Sequence, residues 1–196
     1  MNLPAAEDFI LQKLHSELSE ELYYHGPHHT LDVADSAIRI ALAEDISDEE
    51  TLTLLRTAAL FHDAGFITSY KGHEAEGCRM AREYLPRFGY ESEQIDTICN
   101  MIEATKVPQD PRNLLEEIIC DADLDYLGRD DFEPIADSLF RELNASGLVA
   151  DKQAWDAKQI QFLENHRYHT ATALTTRQPL KQLHLQRLKK SNLPQV

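Results

Sequence analysis

Residues 47–65 read SDEETLTLLRTAALFHDAG, with Leu52, Leu55, Ala58, Ala59 and Phe61 recurring at the three- and four-residue spacing of one helical face. Ser47 and Glu50 stand at the spacing of a capping box ahead of that face, and Gly65 is placed to stop it. The pattern predicts a helix that ends on His62-Asp63. Upstream, Phe9, Ile10, Leu14, Leu18 and Leu22 predict a helix over about 5–23. After the elbow His25-Gly26-Pro27, the spacing of Val33, Ala37, Ile40 and Ala41 predicts another over about 28–45.

Downstream the same periodicity continues. A helix is expected from about His73 to Leu85, and the next carries Ile95, Ile98, Met101 and Ile102 on one face before Pro108 and Pro111 break the chain. Asn113 caps a further helix with Glu116 at the capping-box position. Leu115, Ile118, Ile119 and Ala122 form its buried stripe, and Gly128 closes it. Amphipathic stretches follow at about 132–145 (Ile135, Leu139, Phe140, Leu143) and 151–164 (Trp155, Ile160, Leu163), then a segment of about 169–192 interrupted near Pro179. Alternation of β-branched residues is nearly missing, so the fold class is all-α.

The 196 residues suit one folding unit, 1–196, without repeats or low-complexity linkers. No apolar run approaches the roughly 20 residues of a membrane span. The opening Met1-Asn2-Leu3-Pro4 lacks the basic-then-apolar signal pattern, so a cytoplasmic protein with no membrane partner is expected. Cys78, Cys99 and Cys120 form no Cys-x-x-Cys pair and sit in apolar helical stretches, where cysteine acts as a small hydrophobe. A formal net charge of −15 repels polyanions and argues against a nucleic-acid polymer as partner. A small anion would need a bound cation and local basic side chains to overcome that field.

Four features from different helices carry the residue types for such a cation: His25 and His29 at i, i+4, the pair His62-Asp63, the pair His73-Glu74, and Asp121-Ala122-Asp123. Imidazoles and carboxylates together suit Zn, Fe, Mn, Co or Ni better than calcium, and facing helices can converge such ligands in a core.

Tyr24-His25-Gly26-Pro27-His28-His29-Thr30, Phe61-His62-Asp63-Ala64-Gly65 and Cys120-Asp121-Ala122-Asp123-Leu124 resemble, in order and spacing, the three ligand segments of the HD-domain superfamily of metal-dependent phosphohydrolases. That superfamily is helical and includes the cyclic-nucleotide phosphodiesterases. The resemblance spans about residues 20–130 and implies a helical bundle with a metal site between facing helices, extended by helices over about 131–196. It implies His29, His62, Asp63 and Asp123 as ligands of a divalent ion (Mn, Fe, Ni, Co, Zn or Mg). His28 competes with His29, and Asp121 with Asp123; the family spacing and the Ala-Asp-Leu context favour His29 and Asp123, leaving Asp121 to orient a ligand from behind. Gly26 stands where the family often has Asn.

The implied reaction is hydrolysis of a phosphate monoester or diester, such as a nucleotide's, by metal-activated water. Asp63 would also orient that water, and His25 would protonate the leaving oxygen. His73, Lys106 and Arg129 are expected substrate contacts, with His73 alternatively serving a second metal. Glu164, His166, His169 and Arg177 also invite a second-metal reading, whereas His15 and His184 are expected to be exposed. Two rivals stand beside hydrolysis: a regulatory HD domain that binds a nucleotide or metal without turnover, and a di-iron HD-fold oxygenase. The oxygenase needs extra histidines before the last carboxylate, and this chain offers only His73 there. A homo-oligomer remains open.

Overall fold

The computed structural model describes residues 1–192. Among them ten α-helices and three 3-10 turns follow one another, with no strand: α1 (Leu3–Glu17), α2 (Pro27–Ala43), α3 (Glu49–Phe61), a turn at Ala64–Ile67, α4 (His73–Tyr84), a turn at Leu85–Phe88, α5 (Ser92–Ala104), α6 (Leu114–Asp123), a turn at Asp125–Gly128, α7 (Phe132–Ala145), α8 (Lys152–Asn165), α9 (Ala171–Thr176) and α10 (Gln178–Ser191). No described helix is long and apolar enough to cross a membrane.

Local chemistry places several ends differently from the periodicity. The first helix stops at Glu17, because Leu18 turns to extended backbone at ψ 145° after its N–H closes the last turn on Leu14. Leu18 still packs on the core from that segment, which is why its i, i+4 spacing mimicked helix. The cap of α3 is Asp48, one residue later than the Ser47 box: its carboxylate accepts from Thr51 N at 2.8 Å. Asn113 caps α6 as its side chain predicts, accepting from Leu115 N and Glu116 N, and Glu116 reaches back to Arg112 N at 2.7 Å. That helix ends at Asp123, so Gly128 closes the following turn. The break in the last segment falls at Arg177, and Pro179 sits harmlessly in the first turn of α10.

Two apolar clusters organise the chain. One joins α1 to α6 around residues such as Ile10, Ile40, Leu55, Phe61, Met80 and Ile102, with α2 packed on α3 and α6, and α5 on α3 and α4. The other joins Tyr24 and the 124–127 turn to α7, α8 and α10 through Phe132, Trp155, Leu163 and Leu185. The three cysteines are free and buried.

Candidate metal and catalytic site

The end of α3 is forced into the seam between the clusters. Gly65 lies so close to the start of α4 that a β-carbon would fall 1.9 Å from the His73 carbonyl oxygen. On α4 itself, a β-carbon on Gly77 would approach Phe61 O to 2.8 Å. Side chains at these two positions would push the helices apart; their absence lets His62-Asp63, the following turn and His73-Glu74 meet. Gly65 is thus a close-approach residue and not the helix stop that its position suggested.

His29 from the first turn of α2, His62 and Asp63 from the end of α3 and Asp123 from the end of α6 converge there. His29 Nε2 is 3.4 Å from Asp63 Oδ2 and 3.2 Å from Asp123 Oδ1; His62 Nε2 is 3.1 and 3.4 Å from the same two oxygens. Ligands about 2.1 Å from a shared cation lie about 3.0 Å apart when cis-octahedral and about 3.4 Å apart when tetrahedral. His29, His62 and Asp123 form a group able to hold a metal ion. His62 donates Nδ1–H to the Ala59 carbonyl at 2.7 Å, which leaves Nε2 as the lone-pair nitrogen facing the carboxylates. Among the described residues, His62 Nε2 and Asp63 Oδ2 are buried without a hydrogen-bond partner. Two orphaned polar atoms 3.1 Å apart, in a set of two imidazoles and two carboxylates, fit a divalent cation.

The electrostatics agree. Burial would depress the His29 and His62 imidazoles, yet the Asp63 and Asp123 carboxylates beside them outweigh it and raise both. Burial would raise the two carboxyls, yet the imidazoles hold Asp63 well below its usual range and Asp123 down to about 2. The cluster demands positive charge, supplied by protons where no metal sits.

Around it, His73 Nε2 lies 3.5 Å from Asp63 Oδ1 and 3.6 Å from Glu74 Oε1, and its ring stacks on Phe66 at 4.0 Å. Asp63 therefore turns one oxygen to the cluster and the other to His73. The His25 ring stacks on the same Phe66 at 4.2 Å and stands edge-on to His29 at 6.0 Å. A cavity of about 320 Å³ opens beside His29, lined by Tyr24, His28, Asp32, Arg129, Ile135 and Ser138 among others. His28 faces this cavity, outside the ligand group.

Other expected residues lie elsewhere. Lys106 is exposed on the turn after α5, and among the described residues its ammonium makes no hydrogen bond or ion pair. Arg129 lines the cavity, but its guanidinium is committed to Asp32 at 2.7 Å and to Asp131 at 2.9 Å, so it brings little free charge. Asp121 does not orient a ligand: fully buried, it accepts from His169 N (2.9 Å), Thr170 N (2.8 Å) and the Thr170 hydroxyl (2.8 Å) and ties the 169–170 segment to α6. The residues read as a second metal set are dispersed, with Arg177 on Asp125 and His166 on the buried Lys181. His184 is buried and not exposed, stacked on Phe132 at 4.5 Å with Nε2 against Arg129 O at 2.9 Å. Sequence reasoning missed Phe66, Tyr70 and Glu142. Glu142 did carry a signal: with Ile135 and Leu139 it lies at i, i+4, i+7, a carboxylate on the apolar face of α7.

An all-helical chain that converges two imidazoles and two carboxylates at a buried point has the make-up of a metal-dependent hydrolase. The chain belongs to the HD-domain family, whose model ("HD domain") matches residues 28–125, half of its length. It is similar in fold to the crystal structure of a predicted HD superfamily hydrolase from an uncultured Thermotogales bacterium, at 19% identity and TM-score 0.63, covering 97% of this chain and 91% of that one. It is also similar to YpgQ of Bacillus subtilis, at 23% identity and TM-score 0.63 over 99% of both chains. A second YpgQ structure, in complex with ADP, matches at 23% identity and TM-score 0.61 over 96% of this chain and 98% of that one. No curated protein matches the sequence significantly.

Proposed function

We propose that the protein is a metal-dependent phosphohydrolase that cleaves a phosphate monoester or diester of a small molecule of the nucleotide type, with His29, His62, Asp63 and Asp123 holding the ion. The observation that carries the reading is the pair of orphaned buried atoms, His62 Nε2 and Asp63 Oδ2, each 3.4 Å from one of the other two donors, Asp123 and His29. When bound, the divalent cation would supply Lewis acidity toward the phosphoryl oxygens and lower the pKa of a water. The chain's own groups perform the remaining work. Asp63, whose second oxygen is free of the cluster, orients the attacking water, with His73 3.5 Å away to hold that oxygen. His25 stands across the cleft as the donor of a proton to the leaving oxygen, a role worth about 100- to 10,000-fold in rate. His73, beside Asp63, is the substrate contact this reading keeps, whereas Arg129 lines the cavity with its charge already taken by Asp32 and Asp131. The ADP complex of the YpgQ relative supports a nucleotide-like ligand.

With Arg129 neutralised by Asp32 and Asp131, and with Glu74 and Glu142 buried nearby, the pocket repels an anion until the cation is present. Activity is therefore expected to depend on the metal. Protein purified without chelator, then assayed for phosphate release from nucleotides and model esters with Mn, Co, Ni or Mg under argon, tests the reading. Metal-stimulated, oxygen-independent release is expected; turnover that strictly requires oxygen overturns it.

A further inference from the structure

We propose that Glu142, in the helical segment beyond the family-matched region, is a positioning residue that fixes the ring orientation and tautomer of His25 for the reaction at the metal centre. The proposal rests on the phosphohydrolase reading for what His25 does, but not for how it is held. Glu142 is 1% exposed and accepts four hydrogen bonds. Oε2 takes Tyr24 N at 2.8 Å and His25 N at 3.0 Å, and Oε1 takes the Tyr70 hydroxyl at 3.1 Å and His25 Nδ1.

The two oxygens do different things. Oε2 satisfies two backbone donors of the elbow before α2, and a purely structural anchor would need nothing more. Oε1 engages only side chains. A carboxylate is acceptor-only, so the nitrogen facing it must carry a proton: Nδ1 is N–H, and Nε2, at the other end of the ring, is the nitrogen left to exchange a proton with a substrate oxygen. Phe66 stacked on the ring at 4.2 Å and Tyr70 edge-on at 6.0 Å prevent rotation out of this pose. The buried carboxylate keeps its charge because the His25 Nδ1–H and the Tyr24 and His25 backbone N–H groups outweigh the burial that would raise its pKa. Tyr70, pushed up by burial and by Glu142 itself, remains a donor.

Glu142→Gln gives a sharp expectation. The backbone N–H groups cannot invert, so the amide oxygen must face them and the amide NH₂ must face His25 and Tyr70. Nδ1 would then become the acceptor, and His25 would be driven to the neutral Nε2–H tautomer, which can give up its one proton only by becoming an anionic imidazolate, whereas a ring with Nδ1–H held by Glu142 gives up an Nε2 proton and is left neutral. Swapping a buried orienting carboxylate for its amide in another histidine-dependent enzyme class costs about 10,000-fold by this route.

The test is ¹⁵N-histidine NMR on the full chain loaded with diamagnetic zinc, with His25 assigned by comparison with His25→Asn, alongside steady-state kinetics. A proton on His25 Nδ1 in the wild type and a bare Nδ1 in Glu142→Gln are expected. On esters with poor leaving groups kcat should fall by about 100-fold or more while KM changes little, and nitrophenyl esters should be affected far less. A bare Nδ1 in the wild type overturns the proposal, and it needs no variant to be measured. Unchanged kcat on poor leaving groups in a folded, tautomer-switched variant overturns it as well. The spectrum requires no turnover, so a protein inactive on every phosphoester would sink the phosphohydrolase reading and leave this result standing on its own.

Discussion

Replacing Asp121 separates two roles that its sequence context leaves open, metal ligation and anchoring. In Asp121→Ala the Thr170 N–H and hydroxyl and the His169 N–H lose their acceptor. Thr170 is 2% exposed, so water cannot replace the carboxylate there, whereas His169 is half-exposed and recovers part of its loss. A buried donor left unsatisfied costs about 1–3 kcal/mol, and two such groups at Thr170 give about 2–6 kcal/mol of lost stability. The variant should remain folded, since domains are commonly stable by about 5–15 kcal/mol. Asp121→Asn keeps one acceptor oxygen for Thr170 and should lose about half as much. Urea unfolding with excess metal, at matched m-values, reads the difference, and elemental analysis of the folded variants should show undiminished metal. A loss below about 1 kcal/mol in Asp121→Ala would refute the anchoring argument, and a folded variant without metal would make Asp121 a ligand.

Further outcomes follow from the same geometry. His62→Ala should abolish metal binding as read by elemental analysis; equal occupancy in variant and wild type would refute the ligand assignment. Gly65→Ala should severely destabilise the fold in thermal melts, because the new β-carbon meets a backbone carbonyl at 1.9 Å that cannot swing aside. Since His29 and His62 are raised and their partners Asp63 and Asp123 lowered without metal, their pairing stabilises the metal-free protein fully only between about pH 4 and pH 6.5; it fades as pH climbs through the raised imidazole values or falls through the lowered carboxyl values. Metal loading must displace those protons, so calorimetry in buffers of different ionisation enthalpy should show proton release on binding and affinity rising with pH. Lys181, pushed down to about 8 by burial, lies below its unfolded value, so stability should increase between about pH 8 and 10.5 as the native state sheds its proton first; Lys181→Met should remove that rise in denaturation midpoints.

Helix content and the convergence of His29, His62 and Asp123 were legible because both are written in short-range patterns. The apolar spacing of Leu52, Leu55, Ala58 and Phe61 survives in α3, and the amphipathic stripe at 132–145 reappears as α7 with the same bounds. His29, His62 and Asp123 could be singled out because each sits in a motif of a few residues. What escaped depends on pairings far apart in the chain. Glu142 meets His25 across 117 residues, and Asp121 meets Thr170 across 49. Nothing local marks the first carboxylate as a partner of the elbow or the second as an anchor. Lys106 and Arg129 were chosen for charge alone, and charge does not say whether a side chain points to solvent or is already satisfied by a neighbouring carboxylate.

These long-range pairings also tie α7, beyond the family-matched segment, to the candidate site. The candidate metal donors come from α2, α3 and α6, inside the segment that matches the family. Without α7, the elbow at Tyr24-His25 would have two buried backbone donors and an imidazole with no acceptor, and the cavity beside His29 would lose Pro134, Ile135 and Ser138 from its wall. The candidate ligand set thus lies wholly within the matched segment, while the pose of His25 and the shape of the cavity beside His29 depend on α7. Substitutions in α7 should accordingly alter kcat and substrate preference with metal content unchanged, and those at the ends of α3 and α6 should alter metal content first.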